Sequence, residues 1–240
     1  MTSERVDSGS ERDSANVLAE GDGDSLPPAL RLQILTTEHW SLLSTRSLSW
    51  NEAFSRATMF LSVLSGAVVA LALVAQATAF DEGFVTFALL VLPVVLFVGV
   101  ATFMRLVAIN REDLGWVVGM NLLRHAYLEA APGLRPYFVT GSGDDEGAIM
   151  ATFGATPGPG SFAHEFVTTP GMLAVVDGVI AGILVGILAL HAGLGTPIGI
   201  GSAIAVALLT VALLLTYQYR GAVRPRGRRR TMFPGGPPVV

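Results

Sequence analysis

The chain has 240 residues, 51% of them apolar and only 14% charged, with a mean hydropathy of +0.57 and a net charge of −4. Soluble domains carry about 25% charged residues, so this composition excludes an ordinary soluble protein and points to a membrane. The absence of cysteine excludes disulfide scaffolds, thiolate nucleophiles and Cys-ligated metal centres together. All fifteen basic residues are arginine, a usage that fits a high-GC bacterial genome beside the abundant Ala, Gly and Val.

Residues 1–29 hold seven acidic residues against Arg5 and Arg12 and almost nothing apolar. Such a segment cannot bury enough surface to offset its ordering entropy, so a disordered acidic tail ending at Pro27-Pro28 is expected. No short apolar core with basic flanks and a small-residue cleavage site opens the chain, which argues against a secretory signal. From 30 to 56 the pattern becomes amphipathic. Trp40, Leu43, Ser47, Trp50 and Phe54 recur every three or four residues, which predicts a cytoplasmic helix running into the first span.

Four apolar runs follow, at about 59–80, 84–104, 172–190 and 198–216. Even nineteen helical residues reach about 28 Å, close to the ~30 Å hydrocarbon thickness of a bilayer. The predicted fold is therefore an all-α membrane protein: four transmembrane helices in two hairpins (57–108 and 170–219) with cytoplasmic helical extensions. The turns 81–83 and 191–197 hold no arginine, whereas every arginine lies on the other flanks. By the positive-inside rule both termini and the central connection face the cytoplasm of a bacterial inner membrane.

The central segment, 109–169, predicts a helix over 114–131 with Trp116 and Tyr127 on one side, stopped at Pro132-Gly133. A short β-like run at Tyr137–Thr140, an acidic glycine-rich turn at 141–147, a brief apolar piece at 148–153 and a Pro/Gly loop at 157–160 complete it. The turn bearing Asp144, Asp145 and Glu146 lacks the alternating ligands of a calcium loop, and its acids would repel a phosphate. The four histidines are scattered, and only His125 with Glu129 shows i,i+4 spacing. No metal site, cofactor or catalytic constellation is expected.

Three features in the spans bear on function. Gly178, Gly182 and Gly186 share one face of the third span, a spacing that admits another backbone closely, either a neighbouring span or a second copy. Asp177 is the one ionisable residue inside a span. It is either a carboxylate two turns deep, hydrated or paired with an arginine near the headgroups, or a proton or ion site. Its depth assumes Thr169 as N-cap and Pro170 as the first helical residue. Pro93 interrupts the second span, as prolines in membrane helices commonly do.

Beyond the fourth span, 220–240 forms an arginine-rich tail expected to be disordered. Arg220, Arg224, Arg226, Arg228, Arg229 and Arg230 place six positive charges in eleven residues. Beside anionic lipid headgroups each such charge contributes on the order of 1 kcal/mol. Nucleic acid is not expected as a partner, since no aromatic-studded soluble domain accompanies the cluster.

The segments Arg124–Glu129, Pro132–Thr140 and Thr37–Arg46 resemble those of a group of uncharacterised actinobacterial four-span integral membrane proteins. That likeness implies the four-span layout and a cell-membrane address, and no activity. In architecture alone the chain is similar to SLATT proteins, proposed pore-forming effectors in which a cytoplasmic helix leads into a two-span hairpin. The reading that follows from the sequence is a non-enzymatic multipass membrane protein acting as a scaffold. Trp40, Trp50, Trp116 and Tyr127 would bind a protein partner or a second copy. The alternative is an oligomeric channel or small transporter using the glycine face and Asp177.

Overall fold

The computed structural model describes residues 26–153, 168–223 and 231–233. The expectations for the acidic tail before residue 26, the loop at 157–160 and Arg224–Arg230 lie outside the described residues. The elements are α1 (Pro28–Thr78), α2 (Glu82–Ala130), a 3-10 turn (Pro132–Tyr137), α3 (Glu146–Thr152), α4 (Thr169–His191) and α5 (Thr196–Val223). Among the described residues there is no strand, and α1, α2, α4 and α5 are each long and apolar enough to cross a membrane. The protein is an all-α membrane protein.

Residues up to Ser41 form a compact unit of their own, and those from Leu42 onward a second. In the first, the helix carries Trp40 at 65% exposure and an internal bond in which Thr37 Oγ1 donates to the Gln33 carbonyl (2.9 Å). In the second, the first two spans are continuous with helix on the arginine-bearing side. Nothing in 42–78 or 82–130 breaks the ladder, and α2 carries Pro93 without interruption.

The turn between α1 and α2 puts Ala79 (φ 49°) and Phe80 (φ 63°) in the left-handed region, an uncommon conformation for residues with a Cβ. Asp81 then caps α2, its carboxylate accepting from the amides of Gly83 (2.8 Å) and Phe84 (3.3 Å). On the same side of the bundle, Gly193 (φ 75°) and Gly195 (φ 81°) supply the turn between α4 and α5 at no steric cost.

The third span is the inner one. Of its most apolar stretch 44% is buried, against 11%, 22% and 11% for the first, second and fourth. It packs on both α5 and α2. A core of Phe60, Val95, Phe103, Leu106, Ile109, Ala174, Ile180 and Leu215 fills the space between the helices.

One local expectation fails. The β-like run at Tyr137–Thr140 is a 3-10 turn ending at Tyr137, followed by irregular chain. Pro132 and Pro136 remove two donors, and Tyr137 (78% exposed) and Val139 (87% exposed) have no strand to pair with. The apolar piece at 148–153 is helical because Asp145 caps it, accepting from the Ala148 amide (3.3 Å).

Candidate functional site

The third span begins one residue earlier than the sequence suggests. Thr168 is the N-cap, its Oγ1 accepting from the Gly171 amide (3.2 Å) and from Gln218 Nε2 of α5 (3.2 Å). Asp177 therefore lies about 12 Å along the helix from Thr169 at 1.5 Å per residue. At that depth it is buried, with no partner among the described residues. Its exposure is 0%, and neither Oδ1 nor Oδ2 has a hydrogen-bond partner. This burial, with α2 and α1 closing over the side chain, argues against the headgroup-solvated reading of Asp177.

They can do so because α2 has a glycine at the contact. A Cβ on Gly99 would overlap Asp177 Oδ1 and come within 2.9 Å of Phe60 Cε2. Phe60 is itself fully buried, so carboxylate and ring share the space above the bare Cα of Gly99. Thr102, one turn further along α2, is also buried, but its hydroxyl is spent on the Val98 carbonyl (2.7 Å). An ionised carboxylate left without donors in apolar surroundings costs several kcal/mol or more.

Gly178, Gly182 and Gly186 point the other way, onto α5. A Cβ at Gly178 would lie 2.9 Å from the Ala207 carbonyl oxygen, at Gly182 2.6 Å from that of Ala203, and at Gly186 3.1 Å from the Ala203 Cβ. The glycine stripe is covered by Ala203, Ala207 and Val211 of the same chain, which leaves it unavailable to a second copy. An apolar groove of about 340 Å3 runs between α1, α2 and α4 on the side away from α5.

On the arginine-bearing side, side chains far apart in sequence clasp the helix extensions together. Arg46 donates through Nε and an Nη to both oxygens of Asp113 (2.6 and 3.1 Å), and Asp113 is buried. Arg105 makes the same two-pronged pair with Glu52 (both 2.9 Å) and a third bond to Glu112 (2.9 Å), while Arg56 also donates to Glu52 (2.7 Å). The hydrogen bonds from Arg105 and then Arg56 hold the Glu52 carboxyl down to about 2. The same bonds push Arg105 above its already high value.

Deeper in this module Asn121 is a four-way tie. Its Nδ2 donates to the carbonyls of Gly143 (3.0 Å) and Ala148 (3.3 Å), and its Oδ1 accepts from Arg124 (2.8 Å) and Thr152 (2.9 Å). Burial, and then the charge of Arg46, lower the Arg124 guanidinium from its ordinary value. Met232 and Phe233 return to this surface. Their amides donate to the Asp144 carboxylate (2.9 and 3.0 Å), and the Phe233 ring lies 4.4 Å from that of His125.

The four aromatic residues differ in exposure. Trp50 is 36% exposed and stands 6.1 Å from Phe54, which is 61% exposed; Trp116 and Tyr127 are half-buried, and the indole nitrogen of Trp116 is turned inward. Trp40 belongs to the separate amino-terminal unit. His125 approaches Glu129 at 3.5 Å, and among the described residues no three potential ligands gather as a metal site would need. Of the carboxy-terminal arginines only Arg220 is described, and it is exposed.

Sequence reasoning singled out Asp177 but missed Gly99, Phe60, the Arg46–Asp113 clasp and Asn121. A glycine near the middle of an apolar run carries no signal of what it faces, and ion pairs 53 or 67 residues apart leave no local pattern. Compared with family models, curated proteins and solved structures, the chain matches none.

Proposed function

We infer that this is a non-enzymatic protein of the bacterial cytoplasmic membrane that takes up a proton or small cation at Asp177, with its arginine-bearing side in the cytoplasm. One observation carries the reading: a carboxylate within a span, wholly buried, with both oxygens unpartnered. Ionisable side chains are expensive inside a membrane and are retained where they serve transport or proton relay. The glycine stripe is consumed within the chain, so it is not the contact through which a ring of third spans would form. Purified protein in liposomes is expected to conduct protons or alkali cations, and Asp177→Asn to reduce that flux at least tenfold. Equal flux from correctly folded wild type and variant would overturn the reading.

A second reading, a scaffold that engages a protein partner from the cytoplasm, is favoured by the exposed Trp50–Phe54 pair on a helix braced by three arginine–carboxylate contacts. Aromatic side chains on a rigid support are the usual anchors of an interface. Crosslinking in cells is expected to trap one consistent partner or a homo-oligomer, lost on Trp50→Ala with Phe54→Ala. Recovery of monomer alone from the wild type would sink it. Anionic lipid is the remaining partner, contacted by Arg220 and the arginines that follow it.

A further inference from the structure

Arg111 is held differently from the arginines around it. Arg46, Arg56 and Arg105 each pair with a carboxylate, and Arg124 donates to Asn121 Oδ1. No carboxylate pairs with Arg111 among the described residues, and its Nε is buried without a partner. Its guanidinium lies instead over the ring of Tyr217 on α5, 5.1 Å from the centroid. A cation within about 6 Å of an aromatic centroid is attracted to the ring face, and a stacked guanidinium keeps its N–H edge for other partners. The Tyr217 ring also stands 6.4 Å from that of Phe103, near the end of the second apolar run. Arg111 is eight residues beyond Phe103, about 12 Å along α2. Long helical side chains point back toward the amino-terminal end of their helix, which here is toward the membrane. Phe103 and Arg111 thus bracket a tyrosine that directly follows the fourth apolar run, at the edge of the hydrocarbon where tyrosines are favoured. Thr168, which caps α4, bonds to Gln218, the next residue of α5, so three helices meet at this level. Tyr217 is 41% exposed, and Leu213 and Leu209, one and two turns below it on the same face, are 61% and 58% exposed.

We propose that Arg111, steadied by Tyr217, binds the phosphate of one anionic phospholipid whose acyl chain lies along Leu213 and Leu209 of α5. The guanidinium is planar and always charged, and its N–H groups match phosphate oxygens in pairs. A phosphatidylcholine brings its own ammonium to the phosphate and leaves the Arg111 charge unmatched, whereas an anionic headgroup matches it. A soluble phosphate meets the same guanidinium but gains nothing from the two leucines.

This inference rests on the reading of anionic lipid as a partner and gives it a site separate from the arginine tail. The test titrates the full chain in neutral detergent with phosphatidylglycerol or phosphatidylcholine of identical acyl chains and counts the lipid retained by native mass spectrometry. Phosphatidylglycerol is expected to bind at least fivefold more tightly than phosphatidylcholine. Arg111→Gln should abolish that preference. Tyr217→Leu, which leaves the charge in place but removes the ring beneath it, should weaken phosphatidylglycerol binding severalfold, and millimolar inorganic phosphate should not displace the lipid. An unchanged preference in Arg111→Gln overturns the proposal. Displacement by inorganic phosphate also overturns it, by making the site one for soluble phosphate. Should Arg111→Gln not fold, unchanged binding by Tyr217→Leu overturns it instead. A chain with Arg224, Arg226, Arg228, Arg229 and Arg230 all replaced by Gln is expected to keep the preference. If that chain loses it and Arg111→Gln keeps it, the tail is the lipid contact: this inference falls and the broader reading stands. A wild-type chain that shows no preference for phosphatidylglycerol removes both.

Discussion

Gly182→Leu is expected to destabilise the protein by about 3 kcal/mol or more, because the new side chain must enter space held by backbone rather than by a movable group. Its Cβ alone would sit 2.6 Å from the Ala203 carbonyl oxygen and 3.0 Å from the Ala207 Cβ. Overpacking a well-filled contact costs about 1–3 kcal/mol when neighbours can shift, and rigid neighbours raise that figure. In lipid there is no hydrophobic drive to hold two spans together once close approach is lost. At roughly 2–4 °C per kcal/mol for a chain of this size, the midpoint of thermal unfolding in detergent should fall by roughly 6–12 °C. Gly66→Leu is the matched control, since nothing lies within 4 Å of a Cβ at Gly66. Equal midpoints for the two variants would show that α5 does not cover the glycine stripe.

Asp113→Ala should be nearly as damaging, by a different mechanism. The carboxylate is 4% exposed and Arg46 25% exposed, so removing the acid leaves a largely desolvated guanidinium without its two bonds. Breaking a buried pair from one side costs about 3–5 kcal/mol, and the residual exposure of Arg46 places this case near the lower figure. The double variant Arg46→Met with Asp113→Ala is expected to recover most of the loss, because no orphaned charge remains. Chemical denaturation of the four members of this cycle measures it. Additive losses, with no recovery in the double variant, would mean that the clasp does not form.

These two contacts also mark the boundary of what could be read from the sequence. The four spans were legible because each is a continuous apolar run long enough to cross the hydrocarbon, a property of local composition. The glycine spacing made close packing legible for the same reason, but not its partner. What decided between a neighbour and a second copy was the small-residue spacing of Ala203, Ala207 and Val211 on α5, a pattern that the glycines obscured. Asp113 read as one charge among several in Arg111, Glu112 and Asp113, and its burial depends on Arg46, 67 residues away. Asp177 was noticed as an anomaly, yet its surroundings depended on a glycine of another helix. At Tyr137–Thr140 a run of β-prone residues reads as a strand, but a strand needs a neighbour, and none is present among the described residues.

The labelling of single cysteines in intact cells tests the layout on which all of this depends. The natural chain contains no cysteine, so each substitution reports alone. Leu194, 52% exposed in the turn between α4 and α5, and Tyr137, 78% exposed beyond α2, lie on opposite sides of the proposed membrane. An impermeant maleimide should label Leu194→Cys in intact cells, and Tyr137→Cys only after the cells are made permeable. Labelling of Tyr137→Cys in intact cells, or of both positions from the same side, would contradict the four-span arrangement as oriented here.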